Sequence, residues 1–232
     1  MELSQSRILI AGATGALGER FARELSKRGA RLALAGRDRE ALARVGDELA
    51  SPVILLDLSE SGAGEEAVAA AITELGGLDA VVVATGAVAF GRTGDLPAGV
   101  EAELMQVNAT APIELISSAL EELCPDGAVV AITAVVAEFP TAGMAAYSAS
   151  KAALASYLAA LRRERRKELS TVLEVSPGHM ETGFAERSLA GEPPPLPEGE
   201  DPDELVRVAV QALADGRREV RYDLKSKELL VK

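Results

Sequence analysis

The sequence predicts a doubly wound α/β fold: a sheet of about seven parallel strands with helices on both faces. Three observations point there. Short, nearly all-apolar runs alternate along the chain with stretches of helical periodicity, the rhythm of repeated strand–helix–strand units. Those runs lack the in–out alternation of a half-exposed sheet, as expected of parallel strands covered on both sides. The first run is followed at once by a glycine-rich turn that opens a helix, Gly12-Ala13-Thr14-Gly15-Ala16-Leu17-Gly18.

The elements follow in order. Residues 7–11 form the first strand and 19–28 a helix with Phe21, Ala22 and Leu25 on its apolar face, ended by Gly29. Strands at 31–35, 52–56 and 80–84 alternate with helices at 39–49 and 65–75. A long helix spans about 100–123, a fifth strand 129–133, a second long helix 146–169, and a sixth strand 171–175. Residues 183–202 contain Pro193-Pro194-Pro195 and little periodicity, the pattern of a mobile cover over a site. A helix at 203–214, a strand at 218–224 and an extended piece at 228–231 complete a single domain over residues 1–232. Crossovers between parallel strands should be right-handed.

Composition narrows the class. Of 232 residues 48% are hydrophobic and 26% charged, with aromatics at 3% and no tryptophan, so the core is aliphatic. A net charge of −12 argues against nucleic acid or an anionic membrane surface as partner. No run of 18 apolar residues exists to span a membrane. The single cysteine, Cys124, excludes an intrachain disulfide and fits a reducing, cytoplasmic setting. No His/Cys cluster suggests a metal. The basic run Arg162-Arg163-Glu164-Arg165-Arg166-Lys167 is read as the C-terminal end of a helix, complementing its dipole, in preference to a polyanion contact.

Strand, glycine turn and helix in this order make a phosphate cradle. Gly12, Gly15 and Gly18 let main-chain N–H groups approach a pyrophosphate, and the helix N-terminus adds positive dipole. After the second strand, Gly36 stands where an acid would bind a ribose 2′-hydroxyl, and Arg37 follows. That favours NADP(H), with NAD(H) possible. Asp38 doubles as a candidate N-cap of the next helix. Tyr147-Ser148-Ala149-Ser150-Lys151 sets a phenol and an amine one helical turn apart on one face. A neighbouring ammonium would lower the phenol's pKa and suit it to proton transfer.

With these motifs together the chain resembles the short-chain dehydrogenase/reductase family over nearly its whole length, and so a Rossmann-type sheet. Gly12, Gly15 and Gly18 resemble the family's glycine motif. Asp57-Leu58 resembles the pair that holds the adenine. Val83-Ala84-Thr85-Gly86 stands where the family has Asn-Asn-Ala-Gly. Asn108 matches the helix asparagine, Tyr147 and Lys151 the Tyr-x-x-x-Lys pair, and Pro177-Gly178-His179-Met180-Glu181-Thr182 the stretch beside the nicotinamide.

The resemblance implies an oxidoreductase that interconverts a carbonyl and an alcohol on a small molecule. Tyr147 would be the general acid/base, Lys151 would tune it and bind the nicotinamide ribose, and Asn108 would hold a water for proton resupply. Cofactor contacts are implied from Gly12, Thr14, Gly15, Leu17, Gly18, Arg37, Asp57, Leu58, Ala84, Gly86, Asn108, Tyr147, Lys151, Pro177, Gly178, Met180 and Thr182. A homodimer or homotetramer through the two long helices is also implied. One departure stands out: the family's catalytic serine position is Ala134. Thr133 would replace it only if the strand end turned its hydroxyl inward. The alternative reading is a non-catalytic or weakly active dinucleotide-binding protein, such as a redox sensor.

Overall fold

The computed structural model describes residues 1–60 and 62–232. Eight strands form one sheet in the order β3-β2-β1-β4-β5-β6-β7-β8. They are β1 (Arg7–Ala11), β2 (Arg31–Gly36), β3 (Val53–Leu55), β4 (Leu78–Val83), β5 (Leu123–Ile132), β6 (Leu169–Ser176), β7 (Glu219–Asp223) and β8 (Glu228–Val231). The first seven run parallel. β8 turns back antiparallel on β7, with Val220 opposite Val231. The expected count of about seven parallel strands therefore holds, and the extended piece at 228–231 becomes an eighth edge strand.

Strand side chains alternate between two cores. Ile8, Ile10, Val82 and Val130 face helices α1 (Ala16–Lys27), α2 (Arg39–Leu49) and α7 (Pro202–Ala214). Leu9, Ala11, Val81 and Val129 face α3 (Ala63–Leu75), α5 (Ala111–Glu122) and α6 (Ala145–Glu164). This two-sided burial is why the strands read as unbroken apolar runs. The order reverses between β1 and β4, which opens a crevice at the carboxyl ends of those strands.

Two helical expectations change and one capping expectation holds. The helix expected over 100–123 is α4 (Val100–Met105), a π turn over Gln106–Thr110, then α5. Pro112 supplies the reason. It has no N–H to give to the carbonyl four residues back, that of Asn108, and the Ala111 N–H reaches Gln106 O instead. The helix expected to run to 169 ends at Glu164, because Leu169 already belongs to β6. Asp38 does cap α2, accepting from Ala41 N at 3.0 Å.

At the amino edge of the sheet, Arg7 ties β1 to β4. The Asp79 carboxylate accepts from the Arg7 main-chain N–H and from Nε and Nη2, each at 2.8 Å, and Arg7 Nη1 donates to Gly76 O at 2.7 Å. The guanidinium holds the Asp79 carboxyl below its usual range. Asp79→Asn should cost roughly 1–3 kcal/mol in urea unfolding at pH 7. Because the folded pKa lies below the unfolded value of about 3.9, the carboxylate's contribution is present above that pH and disappears as pH falls through the folded value. The gap between wild type and variant should therefore close towards pH 3.

Candidate active site

The glycine turn is shaped by contacts that leave no room for side chains. Gly12 N and Ala13 N both donate to Ala35 O, at 2.8 and 2.9 Å, folding the β1 exit against β2. Gly12 has φ +86°, and a Cβ there would sit 2.9 Å from the Ala84 carbonyl and Thr85 N. A Cβ on Gly18 would sit 2.1 Å from Gly12 O. Gly15 is the N-cap of α1 and offers no side-chain cap, so the first N–H groups of the helix have no side-chain partner from it. Thr14 and Leu17 border the same turn, and Thr14 Oγ1 lies 3.2 Å from where a Gly36 Cβ would be.

The β2 and β3 exits lie beside this cradle. Arg37 is exposed, and Asp38 turns its carboxylate into α2. Asp57 accepts from Ser59 N at 3.0 Å and Ser59 Oγ at 2.8 Å. Those two bonds and then Arg37 hold its carboxyl below the usual range. Leu58 is buried, and its carbonyl accepts from Gln106 Nε2 at 3.1 Å.

At the β4 and β5 exits the predicted residues converge. Ala84 N donates to Ala11 O at 2.8 Å. Asn108 is fully buried. Its Oδ1 accepts from Ala87 N at 2.9 Å, while Nδ2 donates to Ala87 O at 2.8 Å and to Ser150 Oγ at 3.0 Å. Ser150 Oγ in turn donates to Tyr147 O at 2.8 Å. Lys151 Nζ donates to Ile132 O at 3.0 Å and Thr85 O at 3.5 Å. A Cβ on Gly86 would lie 3.3 Å from Lys151 Nζ, 3.4 Å from Asn108 Oδ1 and 3.7 Å from the Phe184 ring. Asn108, Gly86 and Lys151 thus meet at one point.

Tyr147 lies on the same buried side of α6 as Lys151, one turn away. Its ring tilts 53° against that of Phe184, with centroids 6.3 Å apart. The rest of its surroundings are apolar: Val88, Phe90, Leu104, Ala134 and Met144. The expectation that Lys151 lowers the phenol's pKa is corrected here. Burial pushes the Tyr147 phenol up, and burial draws the Lys151 ammonium down to about 8. The ammonium's hydrogen bonds go to the Ile132 and Thr85 carbonyls.

Thr133 does not stand in for the missing serine. Its hydroxyl donates to Glu174 Oε1 at 2.9 Å, and Glu174 is paired with Arg162 of α6. Neighbouring strand side chains point to opposite faces, and no bulge intervenes to redirect this one. Ala134, in extended backbone, packs in the apolar cluster of Tyr147.

The stretch after β6 closes the site. Val135 N donates to Pro177 O at 2.8 Å, and Thr182 N to Met180 O at 2.9 Å. Gly178 admits the Glu200 carboxyl, whose Oε1 lies 2.1 Å from where a Cβ would be; burial raises that carboxyl to about 7. The pattern-poor 183–202 segment forms one 3₁₀ turn, Ala185–Arg187, and is pinned to the β4 exit. Leu189 N donates to Val88 O and Phe90 N to Ala190 O, both at 2.8 Å.

Sequence reasoning missed Ser150, Gln106, Thr85 and Phe184. Ser150 was findable, because it lies three residues after Tyr147 on the buried stripe. The other three depend on contacts between segments distant in sequence. Thr85 Oγ1 is buried without a hydrogen-bond partner at the crevice.

Fold and site together define a doubly wound α/β protein with a glycine turn between β1 and α1 and a Tyr/Lys pair. A family model for short chain dehydrogenase matches residues 6–193, and the chain belongs to the short-chain dehydrogenase/reductase family of oxidoreductases. It is 33% identical over 176 residues to hydroxysteroid 11-beta-dehydrogenase 1-like protein of Macaca fascicularis, covering 70% of this chain and 59% of that protein. Among solved structures it resembles a short chain dehydrogenase/reductase from Burkholderia phymatum in complex with NAD, with a TM-score of 0.84 at 22% identity over 94% of this chain and 89% of that one. A short chain dehydrogenase from Burkholderia cenocepacia in complex with NADP gives a TM-score of 0.77 at 24% identity over 92% of each chain. The chain spans 59–62% of the length of the first curated relatives it matches. Among the described residues no helix is long and apolar enough to cross a membrane, and no His/Cys/Asp/Glu group is arranged to hold a metal.

The lowered Lys151 pKa has a thermodynamic consequence. Between about pH 8 and the ordinary lysine value of about 10.4 the unfolded chain binds a proton that the folded chain does not, so stability should rise with pH in that window. The raised Tyr147 pKa opposes this only above about pH 10. Wild type should therefore gain stability relative to Lys151→Met from pH 8 to 10 in chemical denaturation; a relative loss would show that the amine is not desolvated.

Proposed function

We propose that the protein is an NADP(H)-dependent reductase that converts an apolar ketone or aldehyde to its alcohol, with Tyr147 as the proton donor. The observation that carries this is the meeting of Tyr147, Lys151, Gly86 and Asn108 at the carboxyl ends of β4 and β5. A dinucleotide fits the residues present: Gly12 and Gly18 let the turn pack against main chain where a Cβ would clash, Gly15 leaves the first N–H groups of α1 without a side-chain cap, and Thr85 Oγ1 is an orphaned polar atom beside the turn. Gly12, Thr14, Gly15, Leu17 and Gly18 would hold its pyrophosphate, and Asp57, Leu58 and Ala84 its adenosine half. Gly86, Lys151, Pro177, Gly178, Met180 and Thr182 would hold the nicotinamide half. Arg37, exposed beside a side-chain-free Gly36, supports a 2′-phosphate; Asp38 is engaged as a helix cap and does not oppose one. Relatives of the fold solved with NAD and with NADP support the cofactor class.

The bound cofactor supplies the hydride. The protein's own residues manage position and protons. Burial keeps the Tyr147 phenol protonated through neutral pH, which suits it to give a proton to a developing alkoxide. Lys151, at about 8, sits one turn away to take part in returning that proton. Both N–H groups of the Asn108 amide are used on Ala87 and Ser150, so its main-chain carbonyl, which Pro112 cannot bond, is the acceptor for a relay water. Val88, Phe90, Leu104, Met144, Phe184 and Leu196 enclose the phenol and call for a substrate with an apolar body around its carbonyl. A homo-oligomer through the outer faces of α5 and α6 belongs to the same reading.

Ala134 supports a second reading, a dinucleotide-binding protein with little or no turnover, since it removes a hydroxyl from the side of the site that faces the phenol. One experiment decides between them. Turnover of apolar ketones, aldehydes and quinones with NADPH should fall about 10²–10⁴-fold in Tyr147→Phe. Ala134→Ser should raise kcat by about 10²-fold by restoring an oxygen-stabilising donor. Tight NADPH binding with no oxidation across the panel, or indifference to Tyr147→Phe, selects the binding protein.

A further inference from the structure

At the far end of α6 from Tyr147 lies a cleft lined by Ala159, Arg162, Arg163, Arg166 and Arg218, with a volume of about 470 Å³. Its guanidinium groups come from three places: the last turn of α6, the loop beyond it, and the entry to β7. The helix dipole accounts for only part of this. α6 ends at Glu164, so Arg166 lies outside the helix, and Arg218 comes from a segment about fifty residues later.

Counter-charge inside the protein does not account for the rest. Arg162 is fixed, donating through Nε to Val172 O at 2.8 Å and through Nη2 to Glu174 Oε2 at 3.1 Å. Arg165, outside the cleft lining, pairs with Glu168. Among the described residues Arg163, Arg166 and Arg218 have no carboxylate within 4.0 Å. In a chain of net charge −12, with 36 acidic residues available, three uncompensated guanidinium groups face one cleft beside a fourth that is anchored. Ala159, a small side chain, completes the lining.

We propose that this cleft is a binding site for a small phosphate-bearing ligand with two or more anionic groups. Planar guanidinium forks pair bidentately with phosphate oxygens, and several converging on one cavity select multivalent over monovalent anions. The cleft is open to solvent, and its volume of about 470 Å³ suits a small molecule. An extended polyanion such as a nucleic acid would meet an acidic surface on leaving the cleft. The site is separate from the dinucleotide crevice: sixteen residues of helix between Tyr147 and Arg163 correspond to about 24 Å.

The test is calorimetric titration of the full chain with inorganic tripolyphosphate, with pyrophosphate, citrate and monophosphate as comparisons, at two salt concentrations. The variant Arg163→Gln/Arg166→Gln/Arg218→Gln removes three exposed, unpaired groups, so its melting temperature should match wild type. The expected result is saturable one-to-one binding of tripolyphosphate that weakens at least about tenfold in the triple variant and is unchanged in Arg37→Gln. Monophosphate should bind much more weakly. Citrate matching tripolyphosphate would leave the cleft a polycarboxylate site and overturn the phosphate assignment. Retention in the triple variant with loss in Arg37→Gln would put the anion in the glycine cradle and overturn the proposal. Binding of single-stranded nucleic acid in preference to tripolyphosphate would do so as well.

Discussion

The site depends on one buried amide. Asn108 clamps Ala87 through its main-chain N–H and carbonyl together and fastens Ser150 with its remaining hydrogen. Those three bonds lock the exit of β4, the π turn and α6 into one rigid body. Gly86, Lys151 and Tyr147 are positioned by that body. An amide is suited to this because it donates and accepts at once, and burying it is tolerable only when both capacities are met. The π turn is the backbone's side of the same arrangement: with Pro112 unable to donate, the helix takes one extra residue and turns Asn108 inward.

The electrostatics of the site follow from enclosure more than from neighbouring charge. Tyr147 lies among aliphatic and aromatic side chains under the 183–202 segment, which is pinned by hydrogen bonds to Val88 and Phe90. Taking both the phenol and the amine out of water favours the neutral form of each. The two pKa values therefore move towards protonated phenol and readily deprotonated amine. A sequence motif that names only the two residues and their spacing suggests the opposite sign for the phenol, because it contains the charge and omits the dielectric. Ala134 belongs to the same enclosure, a methyl group where a hydroxyl would add a hydrogen bond.

Much of the architecture was readable in advance. β1, β8 and α2 coincide with their expected limits, and the other strands differ by one or two residues at their ends, except β5, which starts six residues early at Leu123. Unbroken apolar runs are legible because burial on both faces removes the need for alternation. Helix limits failed where tertiary geometry decides. Nothing local between Glu164 and Leu169 announces that the chain must leave the helix in time to join the sheet. The segment 183–202 looked patternless because its order comes from main-chain bonds to the β4 exit, which leave no period in its own residues. The basic run had an adequate local explanation in the helix dipole, and only the arrival of Arg218 at the entry to β7 revealed a cleft.

The sequence by itself determined the glycine turn after β1, the Tyr147–Lys151 spacing, the alanine at 134 and the strand–helix rhythm. Each of these is a local property: a glycine needed where main chains touch, two side chains a turn apart, a period of burial. Tertiary structure alone decided that Thr133 is held by Glu174, that Phe184 lies over Tyr147, that Asn108 clamps Ala87, and that burial raises the phenol's pKa. Those outcomes depend on which surfaces exclude water and which distant groups meet. Such properties belong to the packed whole and leave no mark on the spacing of residues along the chain.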